Sequence, residues 1–233
     1  IREGMLGSSA GPGWIARGLQ PRDVIVQEPN IAGDAAELQR THGFSVVSNL
    51  EALPSPPSVI VVAVKPQAMD AVFPELAKHA GPHMVVMSIA AGKSIASFER
   101  HLPQGVAVVR AMPNTPAAIG RGITGAVGNA HVTETQKELC SSLLKAAGDV
   151  VWLNDEALID AVTAVSGSGH AYVFLLAETL ARAGEAAGLD AETSMQLARA
   201  TVSGAGELLH RSATDPATLR QNVTSPGGTT AAA

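Results

Sequence analysis

The sequence predicts an α/β fold: an open parallel sheet of strand–helix–strand units, followed by an all-helical C-terminal part. Three observations carry this. Short β-branched runs alternate with helical patterns over the first two-thirds of the chain. One run, Val59-Ile-Val-Val-Ala-Val64, is apolar throughout, as suits a strand covered on both faces. After Leu153 the strand patterns stop. A boundary is therefore expected there, with a sheet domain over 1–153 and a helical domain over 154–233.

The expected strands are Val24–Gln27, Val59–Val64, Met84–Ile89, Val106–Arg110, Ile123–Val127 and Val150–Leu153. Helices are expected at Asp34–Arg40, Gln67–Lys78, Ser94–His101 and Glu134–Ala147, with Pro21, Pro54, Gly81-Pro82 and Pro103 marking the joins. In the helical part, Val173, Leu176, Leu180 and Ala183 form an i, i+3, i+4 stripe, and Leu197, Ala200, Thr201, Gly204 and Leu208 form another. Their small residues suit a packed bundle or a subunit interface. Asp190 and Asp215 occupy N-cap positions, the second followed by Pro216.

Composition narrows the function. The chain has 233 residues, 46% apolar and 16% charged, which excludes intrinsic disorder. A net charge of -5 and few aromatics argue against nucleic acid as a partner. The single cysteine, Cys140, excludes a disulfide framework and reads as a small buried hydrophobe. No uninterrupted apolar run reaches the ~18 residues of a membrane span, and no secretory signal is visible. A cytoplasmic protein without membrane contact is the expectation. The histidines show no metal-ligand spacing, so no metal is expected; neither a nucleophile elbow nor a P-loop is present.

A sheet of this kind binds ligands at the carboxyl ends of its strands. Gly11, Gly13 and Gly18 miss the dinucleotide spacing and read as a loop. Glu28 closes the first run, where a carboxylate can bond a ribose hydroxyl or merely face solvent. Lys65 follows the buried run, either to meet a phosphate or to snorkel out. Ser88-Ile-Ala-Ala-Gly92 ends the next strand with side chains small enough for a flat ring to approach. In Arg110-Ala-Met-Pro-Asn-Thr-Pro116, two prolines make a stiff turn, with Asn114 and Thr115 able to bond a ligand or the turn itself. Thr163-Ala-Val-Ser-Gly-Ser-Gly169 and Asn222-Val-Thr-Ser-Pro-Gly-Gly-Thr-Thr230 break the helical pattern with hydroxyls and glycines. Such breaks present backbone N–H groups to an anion.

Together these motifs resemble the pyrroline-5-carboxylate reductase family: Val64-Lys-Pro66, Ala90-Ala-Gly92, Arg110–Pro116, Ser166-Gly-Ser-Gly169 before Ala171-Tyr172, and Ser225-Pro-Gly-Gly228. The likeness runs from about Trp14 to the end. It implies a Rossmann-like cofactor domain and a helical domain that builds homodimers or higher homo-oligomers. It also implies hydride transfer from NADPH, or NADH, to C5 of 1-pyrroline-5-carboxylate, giving L-proline. By position, Ala63, Val64, Lys65, Pro66, Ala90, Ala91, Gly92, Asn49 and Asn222 would bind the cofactor. Thr229 and Thr230 would hold the substrate, backed by Thr163, Ser166, Gly167, Ser168 and Gly169, with Glu156 nearby; Thr230 is the expected catalytic residue.

The chain departs from the family in four respects. The family's opening strand and Gly-rich loop are not seen, and Ile1–Leu19 reads as the first helix only. The family continues past the residues that follow Gly228. His170 stands where proline is commoner. Glu28 leaves NADP versus NAD open, with Asn30 able to suit either. Two other readings fit the sequence: a related imine reductase or hydroxyacid dehydrogenase, and a non-catalytic paralogue that keeps the helical scaffold.

Overall fold

Strand β1 (Ile25–Gln27) pairs in parallel with β2 (Ser45–Val47), and α1 (Gly33–His42) lies between them in sequence. A second sheet holds β3 (Val59–Val62), β4 (Val85–Ser88), β5 (Ala107–Met112), β6 (Gly122–Gly128) and β7 (Gly148–Trp152), in that order. The computed structural model describes residues 13–15, 17–28, 33–53, 55–64 and 66–232. Gly11, Asn30 and Lys65, singled out above, lie outside the described residues.

The crossovers explain the parallel part. Between β3 and β4 runs α2 (Met69–His79), and between β4 and β5 the short α3 (Ile95–Glu99). Parallel neighbours need such crossovers, and both pairs are parallel. The sheet is not parallel throughout, however. β5 and β6 are antiparallel, with Arg110 opposite Val127. The chain between them makes only a 3-10 turn over Thr115–Ile119, closed by Gly120 at φ 68°. A connection with no crossover helix returns the chain antiparallel. α4 (Glu134–Leu144) then leads to β7, parallel to β6. β2 was not foreseen: Ser45–Val47 holds only two β-branched residues and shows no burial pattern to read.

Both faces of the second sheet are covered. Met84 and Val86 pack on one side with Phe73, Leu76, Phe98, Val108 and Ile159. Val85 and Met87 pack on the other with Val109, Ala111, Cys140 and Leu144. Four consecutive strand residues at 0–1% exposure are the signature of a parallel strand buried on both sides. Local chemistry fixes the helices that do this. Thr133 and Gln136 make a reciprocal capping box at the start of α4. Gln136 Nε2 also donates to Met84 O at 3.1 Å, tying the helix to the chain entering β4. Trp14 Nε1 donates to Leu143 O at 2.8 Å, seating the N-terminal turn against α4.

The chain divides after Ser168 into two compact units. That is later than the boundary near 153 read from the sequence. The difference lies in α5 (Leu158–Val162) and the π-helical turn Thr163–Gly167. Gly125 of β6 faces Val162 so closely that a Cβ would come within 2.8 Å, so this segment packs on the sheet.

The second unit contains α6 (Gly169–Ala186), α7 (Ala191–Arg211), α8 (Pro216–Asn222) and α9 (Thr229–Ala232). α6 and α7 form a hairpin turned at Gly188, φ 102°. A Cβ on Gly184 would stand 2.9 Å from Ser194 Oγ, which is why the two backbones approach so closely. Asp190 caps α7 and Asp215 caps α8, as the sequence predicts. Hydrogen bonds from Thr193 and Thr218 hold these carboxyls below the usual carboxylate range. Little of the unit is buried: Ala181, Ser194 and Ala198 only, among its described residues. The predicted stripe residues Val173, Leu176 and Leu180 stay 40–52% exposed, so the helical unit by itself does not cover them. The helical stretch Leu158–Ala186, with mean hydropathy 1.2, is long and apolar enough to cross a membrane. Polar residues such as Ser166, Ser168 and His170 hide that property from a search for uninterrupted apolar runs.

Candidate active site

The parallel register Val62 to Ser88 brings two carboxyl ends side by side. Ile89 N donates to Val62 O at 3.1 Å, extending the ladder just past both strands. The loops that leave here carry Ala63 and Val64 on one side and Ala90, Ala91 and Gly92 on the other. Ala63, Val64 and Ala90 are each 7% exposed, whereas Ala91 and Gly92 face solvent. Gly92 has φ 73°, and open space lies where a Cβ would be. Ser88 is fully buried, and its hydroxyl accepts from Ala90 N at 3.2 Å, shaping the turn. The result is a ledge of backbone and methyl groups at the sheet's carboxyl edge, a surface that fits a flat dinucleotide. Pro66 begins a 3-10 turn, Pro66–Ala68, ahead of α2. Asn49 is exposed after the carboxyl end of β2, at the N-cap of the turn Leu50–Ala52, with its side chain making no capping bond.

The segment 156–168 is the second part of the site. Glu156 Oε1 accepts from Arg110 Nη1 at 2.7 Å and from Ile95 N at 2.8 Å. The pair is largely enclosed, with side chains 13% and 29% exposed. Glu156 was expected near the substrate; the structure shows one of its oxygens engaged by protein donors. Thr163 Oγ1 donates to Ile159 O at 2.8 Å and Ser166 Oγ to Val162 O at 3.0 Å, so both hydroxyl protons are used within the helix. Ser168 N donates to Thr163 O at 2.9 Å, closing the π turn rather than offering itself to an anion. Asn114 is likewise committed. Its Nδ2 donates to Ser166 O at 3.2 Å and its Oδ1 accepts from Ile123 N at 2.9 Å. The side chain seen as a candidate ligand donor is therefore a brace within the protein.

Gly169, Asn222, Thr229 and Thr230 fall in the second unit. Asn222 is exposed at the end of α8. Gly227, φ 73°, and Gly228 turn the chain into α9, where Thr229 and Thr230 occupy the first turn, exposed. Gly228 N is engaged by Ser225 O at 3.0 Å. Among the described residues, no cluster of His, Cys, Asp and Glu could hold a metal.

Sequence reasoning missed the Arg110–Glu156 pair. The partners are 46 positions apart, and no local pattern links them.

Known proteins are similar to this chain in sequence and fold. A family model described as pyrroline-5-carboxylate reductase dimerisation matches residues 156–233. One described as NADP oxidoreductase, coenzyme F420-dependent, matches residues 3–92. A pyrroline-5-carboxylate reductase from Pseudomonas aeruginosa is 44% identical over 234 residues, which cover 100% of this chain and 85% of that protein. The structure of a pyrroline-5-carboxylate reductase from Coxiella burnetii superposes with a TM-score of 0.92 at 34% identity, over 98% of this chain and 85% of the other. That of the Plasmodium falciparum pyrroline carboxylate reductase with NADP bound does so with a TM-score of 0.79 at 28% identity, over 99% and 85%.

Proposed function

The chain belongs to the pyrroline-5-carboxylate reductase family, and on that footing we propose its reaction and the residues that carry it. It is an NAD(P)-dependent oxidoreductase of proline biosynthesis. A hydride passes to C5 of 1-pyrroline-5-carboxylate, giving L-proline. The parallel register that sets residues 63–64 beside residues 90–92 supports this most directly, because it builds the ledge a dinucleotide needs.

The cofactor, when bound, supplies the hydride. NADPH is the reading favoured by the NADP-type domain match and by the NADP-bound relative. NADH is the alternative, since Glu28 closes β1 where a ribose hydroxyl is commonly bonded. Ala63, Val64, Lys65 and Pro66 would line one wall of the crevice, with Ala90, Ala91 and Gly92 along the other. Asn49 would stand towards the adenosine end, and Asn222 would reach the cofactor from the helical unit.

The substrate imine accepts hydride at C5 only when its ring nitrogen carries a proton. Thr230 would hydrogen-bond that nitrogen and retain the proton there, and Thr229 would help to hold the substrate. The turn carrying Thr163, Ser166, Gly167, Ser168 and Gly169, with Glu156, would close the other side. Most of the acceleration comes from alignment, since holding two reactants in contact geometry removes about 7–11 kcal/mol of barrier. The protein would work as a homo-oligomer in the cytoplasm.

The test is NADPH and NADH consumption with 1-pyrroline-5-carboxylate, alongside a cofactor-binding titration. Turnover with NADPH preferred is expected, and Thr230→Ala should lower kcat by about 10²-fold with cofactor affinity nearly unchanged. Cofactor binding without turnover would leave a non-catalytic paralogue. Full turnover in the Thr230 variant would remove that side chain from the mechanism.

A further inference from the structure

Arg110, Met112 and Asn114 are alternate residues of one extended segment. The first two end β5, and Asn114 keeps extended backbone at φ -125° and ψ 166°. Alternation by two puts all three side chains on one face. Each meets the same stretch of chain, 156–168. Arg110 holds Glu156 at 2.7 Å. The Met112 methyl lies so near Gly167 that a Cβ there would come within 3.2 Å of it. Asn114 holds the carbonyl of Ser166 at 3.2 Å. The Glu156 oxygen that takes the Arg110 bond also takes Ile95 N, at the start of α3, just past the loop carrying Ala90–Gly92.

We propose that Arg110, Met112 and Asn114 are positioning residues that lock the turn 163–168 to the loop after β4. The substrate side of the site is thereby kept in register with the nicotinamide side. The proposal rests on the reductase reading and deepens it. It gives the Arg110–Pro116 motif a task that needs no ligand contact. Asn114 suits the task because both ends of its amide are used, one on the turn and one on Ile123 N of β6. Arg110 suits it because a guanidinium held by an enclosed carboxylate is costly to leave unpaired. Met112 fills the gap left by a glycine. Loss of any one frees the turn by a fraction of an ångström, and displacements of that size are enough to slow a hydride transfer.

The experiment uses the whole chain and three variants. Asn114→Asp keeps the acceptor for Ile123 and removes the donor to Ser166. Arg110→Met removes the charge and its hydrogen bonds, and Arg110→Lys restores the charge. Amide hydrogen exchange is read at Ile95 and Ser168, together with kcat, KM and cofactor affinity. Asn114→Asp should speed exchange at Ser168, and Arg110→Met at Ile95, by roughly tenfold each. In both variants kcat should fall by a similar factor while cofactor affinity stays within about threefold, and Arg110→Lys should recover most of the loss. Unchanged exchange overturns the proposal. Faster exchange with unaltered kcat also overturns it, since the contacts would then be merely structural. A wild-type chain without turnover would overturn the reductase reading instead, and the exchange rates would still decide whether the lock exists.

Discussion

At the scale of single residues, the same side chains read differently in sequence and in space. Asn114 announces a hydrogen bond by its type, but only the fold shows that both ends meet protein. Glu156 is marked only by the family resemblance, and its partner Arg110 lies 46 positions away on β5. Cys140 was legible from composition, and the structure bears it out: the residue is fully buried beneath β4 and β5. Burial pushes its thiol up from 9.0 to about 12. The folded state thus holds the thiol proton more tightly than the unfolded one. The stability this gives is complete below pH 9 and is lost as pH rises towards about 12. At pH 8 the native protein should resist alkylation by iodoacetamide, and denaturant should release one equivalent of reactive thiol per chain. Rapid labelling of the native protein would contradict this burial.

At the scale of elements, the parallel strands were legible because burial on both faces writes a continuous apolar run, as in Val59–Val64. The direction of β6 was not, since Ile123–Val127 looks the same either way; only the short link after Met112 decides it. β2 escaped notice because a short strand with an exposed first residue leaves no pattern. The glycines show where elements touch. Gly148 opens β7 at φ 139°, and a Cβ there would fall 1.9 Å from Gly122 O. Gly148→Ala therefore combines backbone strain with a collision against a paired strand. It should destabilise the chain by about 4 kcal/mol or more, or prevent soluble expression altogether. Thermal denaturation measures this, and a melting temperature near that of the wild type would show that β6 and β7 can separate freely.

At the scale of the whole molecule, the helical unit is the part with the fewest buried residues among those described. Its small-residue stripes were visible in the sequence; that they stay uncovered was not, because helical periodicity names a face and not its neighbour. Tyr172, Phe174, Leu176 and Leu197 are all more than half exposed, and exposed apolar surface of this kind marks an interaction site. The dimerisation family match covers this region, so a second copy is the expected cover. Phe174→Glu with Leu176→Glu should shift sedimentation from oligomer to monomer and lower stability at low protein concentration. A double variant that sediments as the wild type does would place the interface elsewhere. The reversal between β5 and β6 has a consequence for time rather than for place. It joins partners close in sequence, so its loop-closure entropy is the smallest in the five-stranded sheet, whereas β3 and β4 must wait for a helical crossover. Folding should nucleate at this antiparallel pair: destabilising core substitutions in β6 would slow refolding, and those in β3 would chiefly hasten unfolding, as chevron plots can show. The strand face that carries the positioning side chains would then be among the first parts of the protein to exist.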